Sequence, residues 1–157
     1  MLIGVISDTH GFYDPRVPPL FEGVDHILHA GDIGTGQIIG QLTDIAPVTA
    51  VRGNNDREGP ASKYPEVEIL SLGGCRIYLT HIVKVPKVGD EVGLATYREH
   101  QVDIVVFGHS HHAFYEQREG LTFFNAGAAG KRRFKVVPSI GLLDLDSGRV
   151  EGRILTL

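Results

Sequence analysis

Residues 103–111 read Asp-Ile-Val-Val-Phe-Gly-His-Ser-His. The apolar, largely β-branched run is too short for a helix and suits a buried strand. Glycine ends the run, and two histidines follow, two positions apart. Residues two apart do not share a helix face, so a sharp loop must aim each imidazole separately. The segment therefore reads as a strand that brings two nitrogen donors to one end of a sheet.

The same pattern recurs upstream. Leu2 to Ser7 is an apolar run that opens into Asp8-Thr9-His10, and Asp25 to Ala30 opens into Gly31-Asp32. A β-branched run after Pro47 ends at Arg52 and delivers Gly53-Asn54-Asn55-Asp56, while Arg76 to Thr80 delivers His81. Five strand candidates thus end in turns that carry metal-competent side chains. In layered α/β folds the loops beyond the carboxyl ends of strands are held rigidly yet stay accessible, so they are the usual place for a site.

The segments between these units set the fold class. Ile38, Ile39, Leu42 and Ile45 fall at helical spacing over residues 36–46, and a polar stretch from about Asp90 to His100 has weaker helical periodicity. Pro15, Pro18 and Pro19 restrict the segment after the first loop to an irregular path or a short helix. Gly73-Gly74, between two β-prone runs, signals a hairpin. From Ala113 onward strands dominate and read as a meander with turns at Glu119-Gly120 and Ser147-Gly148. Early alternation and late strands together call for an α/β (α+β) domain with two packed sheets.

Nothing divides the chain: its 157 residues show no repeat, low-complexity tract or linker, so one domain spanning 1–157 is expected. A net charge of −4 argues against extended nucleic acid as a partner, because that affinity rests on excess Lys and Arg. The apolar start is too short to cross a membrane and lacks the marks of a signal peptide. A single cysteine, Cys75, excludes an internal disulfide, and a cytoplasmic location is expected. Eight histidines against one Cys and one Met bias any metal site toward nitrogen and oxygen donors.

In order, Asp-x-His, Gly-Asp, Gly-Asn-x-Asp, Thr-His and Gly-His-x-His closely resemble the calcineurin-like metallophosphoesterase superfamily, with its small single-domain phosphodiesterase branch the nearest match. The resemblance implies a four-layer αββα sandwich of two mixed sheets flanked by helices, with two divalent metal ions at one edge. It implies that Asp8, His10 and His111 hold one ion, that Asn54, His81 and His109 hold the other, and that Asp32 bridges them. Asp32, Asn54 and His109 are then also the residues expected to serve catalysis. Two divalent ions against two ligating carboxylates leave a centre of about +2 that attracts a phosphoryl group. A hydroxide bridging the ions would attack phosphorus. Manganese is favoured on the resemblance, and Fe, Zn, Ni and Mg are admissible for such donors. A homo-oligomer is implied by the resemblance alone.

Three departures from the family pattern bear on function. Asn55 stands where relatives carry histidine or, in the small branch, cysteine, and an amide cannot be a general acid, a role that contributes about 10²–10⁴-fold. Thr80-His81-Ile82-Val83 lacks the glycine and second histidine of the family form, which brings Lys84 and Lys87 into consideration as site residues. Asn125-Ala126-Gly127-Ala128 replaces Asn-Pro-Gly-Ser, with loss of loop stiffness and a hydroxyl.

Each feature also has a plainer reading. Asp8, Asp32 and Asn54 taken singly are ordinary turn residues. His26, His29, His100 and His112 have no motif support and read as structural or surface groups, with His29 placed to orient a neighbour near Asp32. Asp56 reads as a turn residue or a hydrogen-bond support. Lys131, Arg132, Arg133 and Lys135 form the one basic cluster, whose default is a solvated face; the alternative is a grip on substrate phosphate by Arg132 and Arg133, with Asn55. The expected function is metal-dependent hydrolysis of a small phosphate ester, a cyclic-nucleotide-like or other diester. A phosphomonoesterase and a protein-interaction scaffold, as in a sorting-complex relative of the family, are the alternatives.

Overall fold

The structure is a computed structural model that describes residues 1–132 and 135–157. In chain order the elements are β1 (Leu2–Ile6), α1 (Val17–Leu20), β2 (His26–His29), α2 (Gly36–Thr43), β3 (Val48–Ala50), β4 (Val67–Leu72) and β5 (Cys75–Thr80). They continue with α3 (Glu91–Glu99), β6 (Ile104–Phe107), β7 (Phe114–Arg118), β8 (Leu121–Asn125), β9 (Ser139–Asp146) and β10 (Arg149–Thr156). All five strands expected to carry donors are present. The prolines confine α1 to one turn, and α2 stops at Thr43, short of Ala46.

The strands form two five-stranded sheets, ordered β10-β9-β1-β2-β3 and β4-β5-β6-β8-β7. Both are mixed. β1, β2 and β3 run parallel in the first sheet, and β5, β6 and β8 run parallel in the second. Their carboxyl ends meet along one edge.

Three apolar clusters hold the layers together. Ile6, Ile27, Ile140 and Leu142 pack the outer face of the first sheet against Val17 and Phe21 near α1 and Ile38 and Leu42 of α2. Ile3, Val5, Leu28, Ile77, Leu79, Ile104, Val106, Phe124 and Leu143 fill the space between the sheets. Leu94 and Tyr97 of α3 cover Val105, Phe107, Leu121 and Phe123 on the far side of the second sheet. The alternation of Phe123 and Phe124 to opposite faces of β8 follows from the two-residue period of a strand. The layer order is thus helices, sheet, sheet, helix. Among the described residues no helix is long and apolar enough to cross a membrane.

The tail corrects the expected meander. β7 and β8 form a hairpin in the second sheet, whereas β9 and β10 form a hairpin at the edge of the first. The chain changes sheets between them. The Phe124 ring fixes the junction: an added Cβ at Gly141 or Gly152 would lie 2.5 or 2.8 Å from it. A ring from one sheet therefore seats in a notch that only glycines leave open in the other, a contact with no local sequence signal. Phe124→Ala is expected to destabilise the fold by about 3–5 kcal/mol, read as a lower denaturant midpoint in equilibrium unfolding.

Candidate metal centre

The ladder between β1 and β2 does not stop at the strand ends. Backbone N–H groups of Asp8, His10 and Gly11 donate to the carbonyls of Gly31, Asp32 and Ile33 at 2.9, 2.9 and 2.8 Å. The first two donor-bearing loops are thereby zipped side by side. Asp56 ties in the third, its carboxylate accepting from the N–H groups of Ile33, Gly34 and Gly53, each at 2.9 Å. Gly53 must be glycine, because a Cβ there would stand 2.1 Å from Asp32 Oδ1.

The second sheet contributes the remaining donors. Gly108 N–H donates to the His81 carbonyl at 3.0 Å, and His109 N–H donates to Asp8 Oδ2 at 3.1 Å. Asn125, fully buried, donates through Nδ2 to the Gly108 carbonyl and accepts from Gly127 N–H. Asn125 thus still braces the histidine loop without the proline and serine of the family form.

Side chains converge accordingly. His111 Nε2 lies 3.2 Å from Asp8 Oδ1 and 3.5 Å from His10 Nε2. Asp32 Oδ2 stands between the two halves, 3.8 Å from His10 Nε2 and 3.4 Å from His81 Nε2. Neighbouring donors about 2.0–2.2 Å from one ion are spaced about 3 Å or slightly more, so these separations suit shared coordination. Two groups could each hold an ion: Asp8, His10 and His111, and Asp8, Asp32 and His81. Asp8 therefore reaches both halves, where the resemblance gave that part to Asp32 alone. The ring of His109 packs edge-on against His81 with centroids 5.3 Å apart, and Asn54 lines one hollow with His81.

Three buried polar atoms near the cluster lack the partners that burial demands. Asp8 Oδ1, Asn54 Oδ1 and His81 Nε2 are buried without a hydrogen-bond partner among the described residues. Such groups ordinarily cost about 1–3 kcal/mol each when left unsatisfied. His81 Nδ1 is 2.7 Å from the Ala30 carbonyl, so it carries the proton and leaves a lone pair on Nε2, aimed at the carboxylates. A lone pair facing carboxylate oxygens needs a proton or a metal ion between them, and the donor set fits a metal ion.

Backbone strain gathers at the same place. Among the described residues eight non-glycines have positive φ, and five are Asp8, His10, Asp32, His109 and His111. The left-handed region costs a non-glycine residue about 1–3 kcal/mol and persists only where the surroundings impose it.

Charges respond to this crowding. Burial pushes the Asp8 carboxyl upward and outweighs the opposing Ser7 hydroxyl and the imidazoles of His81 and His111. Burial also opposes charge on Asp32, but the adjoining His81 imidazole in its protonated form and the hydrogen bonds from Asn55 prevail and hold its carboxyl well below the usual range. With no ion bound, Asp32, the Ala30 carbonyl and Asp8 raise the His81 pKa despite burial, so a second proton and a metal ion compete for the Nε2 lone pair.

Asn55 donates from Nδ2 to Asp32 Oδ2 at 2.6 Å and from its backbone to Asp32 Oδ1 at 2.9 Å. Its amide braces the carboxylate. Arg132 lines a cleft beside His10 and His111, and Arg133 lies outside the described residues. Lys84 and Lys87 are exposed and do not line the hollow next to His81. Sequence reasoning missed Ser7, whose hydroxyl lies 2.6 Å from Asp8 Oδ2, and underrated Asp56. The acid two residues after Asn54 was the available signal for the latter; Ser7 had none.

Fold and site together define a two-sheet sandwich protein with a carboxylate–imidazole cluster of metal-binding character at one edge. The chain belongs to the calcineurin-like phosphoesterase superfamily, whose domain model matches residues 1–148. It is 34% identical over 165 residues to a probable metallophosphoesterase of Methanothermobacter thermautotrophicus, spanning 99% of this chain and 92% of that one. Vps29 of Entamoeba histolytica complexed with Zn²⁺ superposes with a TM-score of 0.74 at 26% identity over 99% of each chain. A protein described as a novel archaeal phosphodiesterase superposes with a TM-score of 0.77 over 100% of each chain; at 23% identity this shows the fold alone.

His29 supports the zipped loops. Its Nδ1 accepts from Gly31 N–H at 3.2 Å, so Nε2 carries the proton and donates to Thr9 Oγ1 at 3.0 Å, while the Thr9 hydroxyl donates to the Ile33 carbonyl. Burial lowers its pKa to about 4. The unfolded chain takes up a proton below about pH 6.5 that the folded state refuses, so stability falls as pH drops from 6.5 toward 4, by about 3 kcal/mol at full extent. His29→Gln is expected to flatten this part of the stability–pH profile relative to the wild-type protein in urea unfolding.

Proposed function

We propose that the protein hydrolyses phosphate esters, preferring diesters, with two divalent ions held by Asp8, His10 and His111 on one side and Asn54, His81 and His109 on the other. Asp32 bridges the halves, and the reach of Asp8 Oδ1 toward both imidazole groups lets it help. The observation that carries this reading is the set of buried donors without a hydrogen-bond partner among the described residues: Asp8 Oδ1 and His81 Nε2 of the cluster, and Asn54 Oδ1 of the residue that shares a hollow with His81. Membership of a phosphoesterase superfamily supports the reaction class.

When bound, such ions supply Lewis acidity toward phosphoryl oxygens and a water acidic enough to attack at neutral pH. The chain's own residues position and tune. Ser7 and the His109 N–H hold Asp8 Oδ2 and turn Oδ1 inward. Asn55 holds Asp32 ionised and correctly aimed. His81 is locked in one tautomer by the Ala30 carbonyl. Manganese is the favoured ion; the Zn²⁺ complex of the Vps29 neighbour supports zinc, and iron, nickel and magnesium suit the same donors.

Asn55 sets the catalytic limit. With its amide engaged on Asp32 and no titratable proton, it leaves the departing oxygen without an acid, so esters with good leaving groups are the preferred substrates. The same absence, with structural likeness to Vps29, supports a second reading in which the fold serves as an interaction scaffold of low activity. Assay with Mn²⁺ on bis-p-nitrophenyl and p-nitrophenyl phosphate separates the readings. The expected result is faster diester turnover, lost at least 100-fold in Asp32→Ala. Monoester preference overturns the diester reading, and activity unchanged in Asp32→Ala overturns the metal-dependent one.

A further inference from the structure

The Asn54 side of the centre depends on one turn. Asp56 N–H donates to the Gly53 carbonyl at 3.2 Å, and the Asp56 carboxylate accepts from Gly53 N–H at 2.9 Å, so a single residue closes the turn through both backbone and side chain. The two residues enclosed are Asn54 and Asn55. Asn54 Oδ1 is buried without a hydrogen-bond partner among the described residues, and Asn55 donates to Asp32 from its backbone and its amide. The same carboxylate reaches across to the Asp32 loop, where Oδ2 also accepts from Ile33 N–H and Oδ1 from Gly34 N–H, each at 2.9 Å.

Asp56 is buried, yet it belongs to neither group of candidate ligands. Its oxygens are spent on three backbone donors, and hydrogen bonds from backbone N–H to carboxylate are roughly twice as strong as neutral ones. The Asp8–His10–His111 half is held by other means. Asp8 and His10 are laddered to Gly31 and Asp32 through their own backbone, and Asp8 Oδ2 is held by Ser7 and by His109 N–H. A fault at Asp56 should therefore reach one half of the centre and spare the other.

We propose that Asp56 is the positioning residue for the ion on the Asn54 side, and that it makes the centre binuclear without touching either ion. It aims Asn54 and sets the grip of Asn55 on Asp32, both through the turn that it closes. This rests on the two-ion reading above and adds an unequal dependence of the halves on one buried carboxylate. Groups that orient ligands from behind typically change metal affinity by about 10–100-fold when replaced. Asp56→Asn keeps the shape of the side chain but turns an NH₂ toward a backbone N–H.

The test is titration of metal-free protein with Mn²⁺, followed by calorimetry and electron paramagnetic resonance. The wild-type chain is expected to bind two ions and to show the spectrum of a spin-coupled pair at saturation. Asp56→Asn should weaken one ion by about 10–100-fold and leave the other unchanged, with the spectrum of isolated Mn²⁺ at one ion per chain. Two combinations assign the ion that remains: adding His111→Ala to Asp56→Asn should remove it, and adding His81→Ala should not. Leu94→Ala, in the apolar cluster beneath α3, lowers stability away from these loops and should keep both affinities at the wild-type level.

Two unchanged ions in Asp56→Asn, equal weakening of both, or matching losses in Leu94→Ala would overturn the proposal and leave the two-ion reading standing. A wild-type chain that binds fewer than two ions overturns both. If Asp56→Asn does not fold, hydrogen exchange in the metal-free wild-type protein decides. Slow, concerted exchange of the Ile33, Gly34 and Gly53 amides supports the clamp, and fast exchange at Gly53 overturns it.

Discussion

The site is governed by an electrostatic demand. Asp8 and Asp32 are buried carboxylates, and among the described residues neither pairs with a lysine or arginine; their basic neighbours are the imidazoles of His10, His81 and His111. Burial of an ionised carboxylate without a counter-charge is among the costliest arrangements in a protein. In its neutral form, with the proton held on Nδ1, His81 presents a lone pair toward the same oxygens. Cations between the donors would answer each of these demands, and the surrounding loops are braced so that the donors stay together.

Bracing comes from the fold rather than from the donors. Parallel strands in each sheet end at the same edge, and backbone hydrogen bonds extend the β1–β2 ladder into the loops. Asp56, Asn125 and, through Thr9, His29 then staple loops that are distant in sequence. The left-handed backbone at Asp8, His10, Asp32, His109 and His111 is sustained by this scaffold and by the core between the sheets. Stability held elsewhere is what permits strain at the site.

Much of this was legible before the fold was known. Each donor sits at the end of a short apolar run, and period-two or continuous hydrophobicity is a local property that a sequence displays directly. The helix at Gly36–Thr43 and the hairpin around Gly73-Gly74 were local as well. What escaped was non-local. The change of sheets between β8 and β9 depends on a Phe124 ring meeting two glycines from strands far along the chain. The reach of Asp8 into both halves depends on a turn conformation set by Gly31 and His109. Asn55 looked like a group left over where an acid belongs; in space its amide is spent on Asp32.

The most direct measurement of the central claim is metal stoichiometry. Protein purified without chelator and dialysed against Mn²⁺ would be analysed by mass spectrometry of the metal, beside an Asp8→Ala, Asp32→Ala double variant shown to be folded by circular dichroism. Two ions per wild-type chain, lost in the variant, is the expected result. A wild-type protein that retains no more metal than the double variant would contradict it.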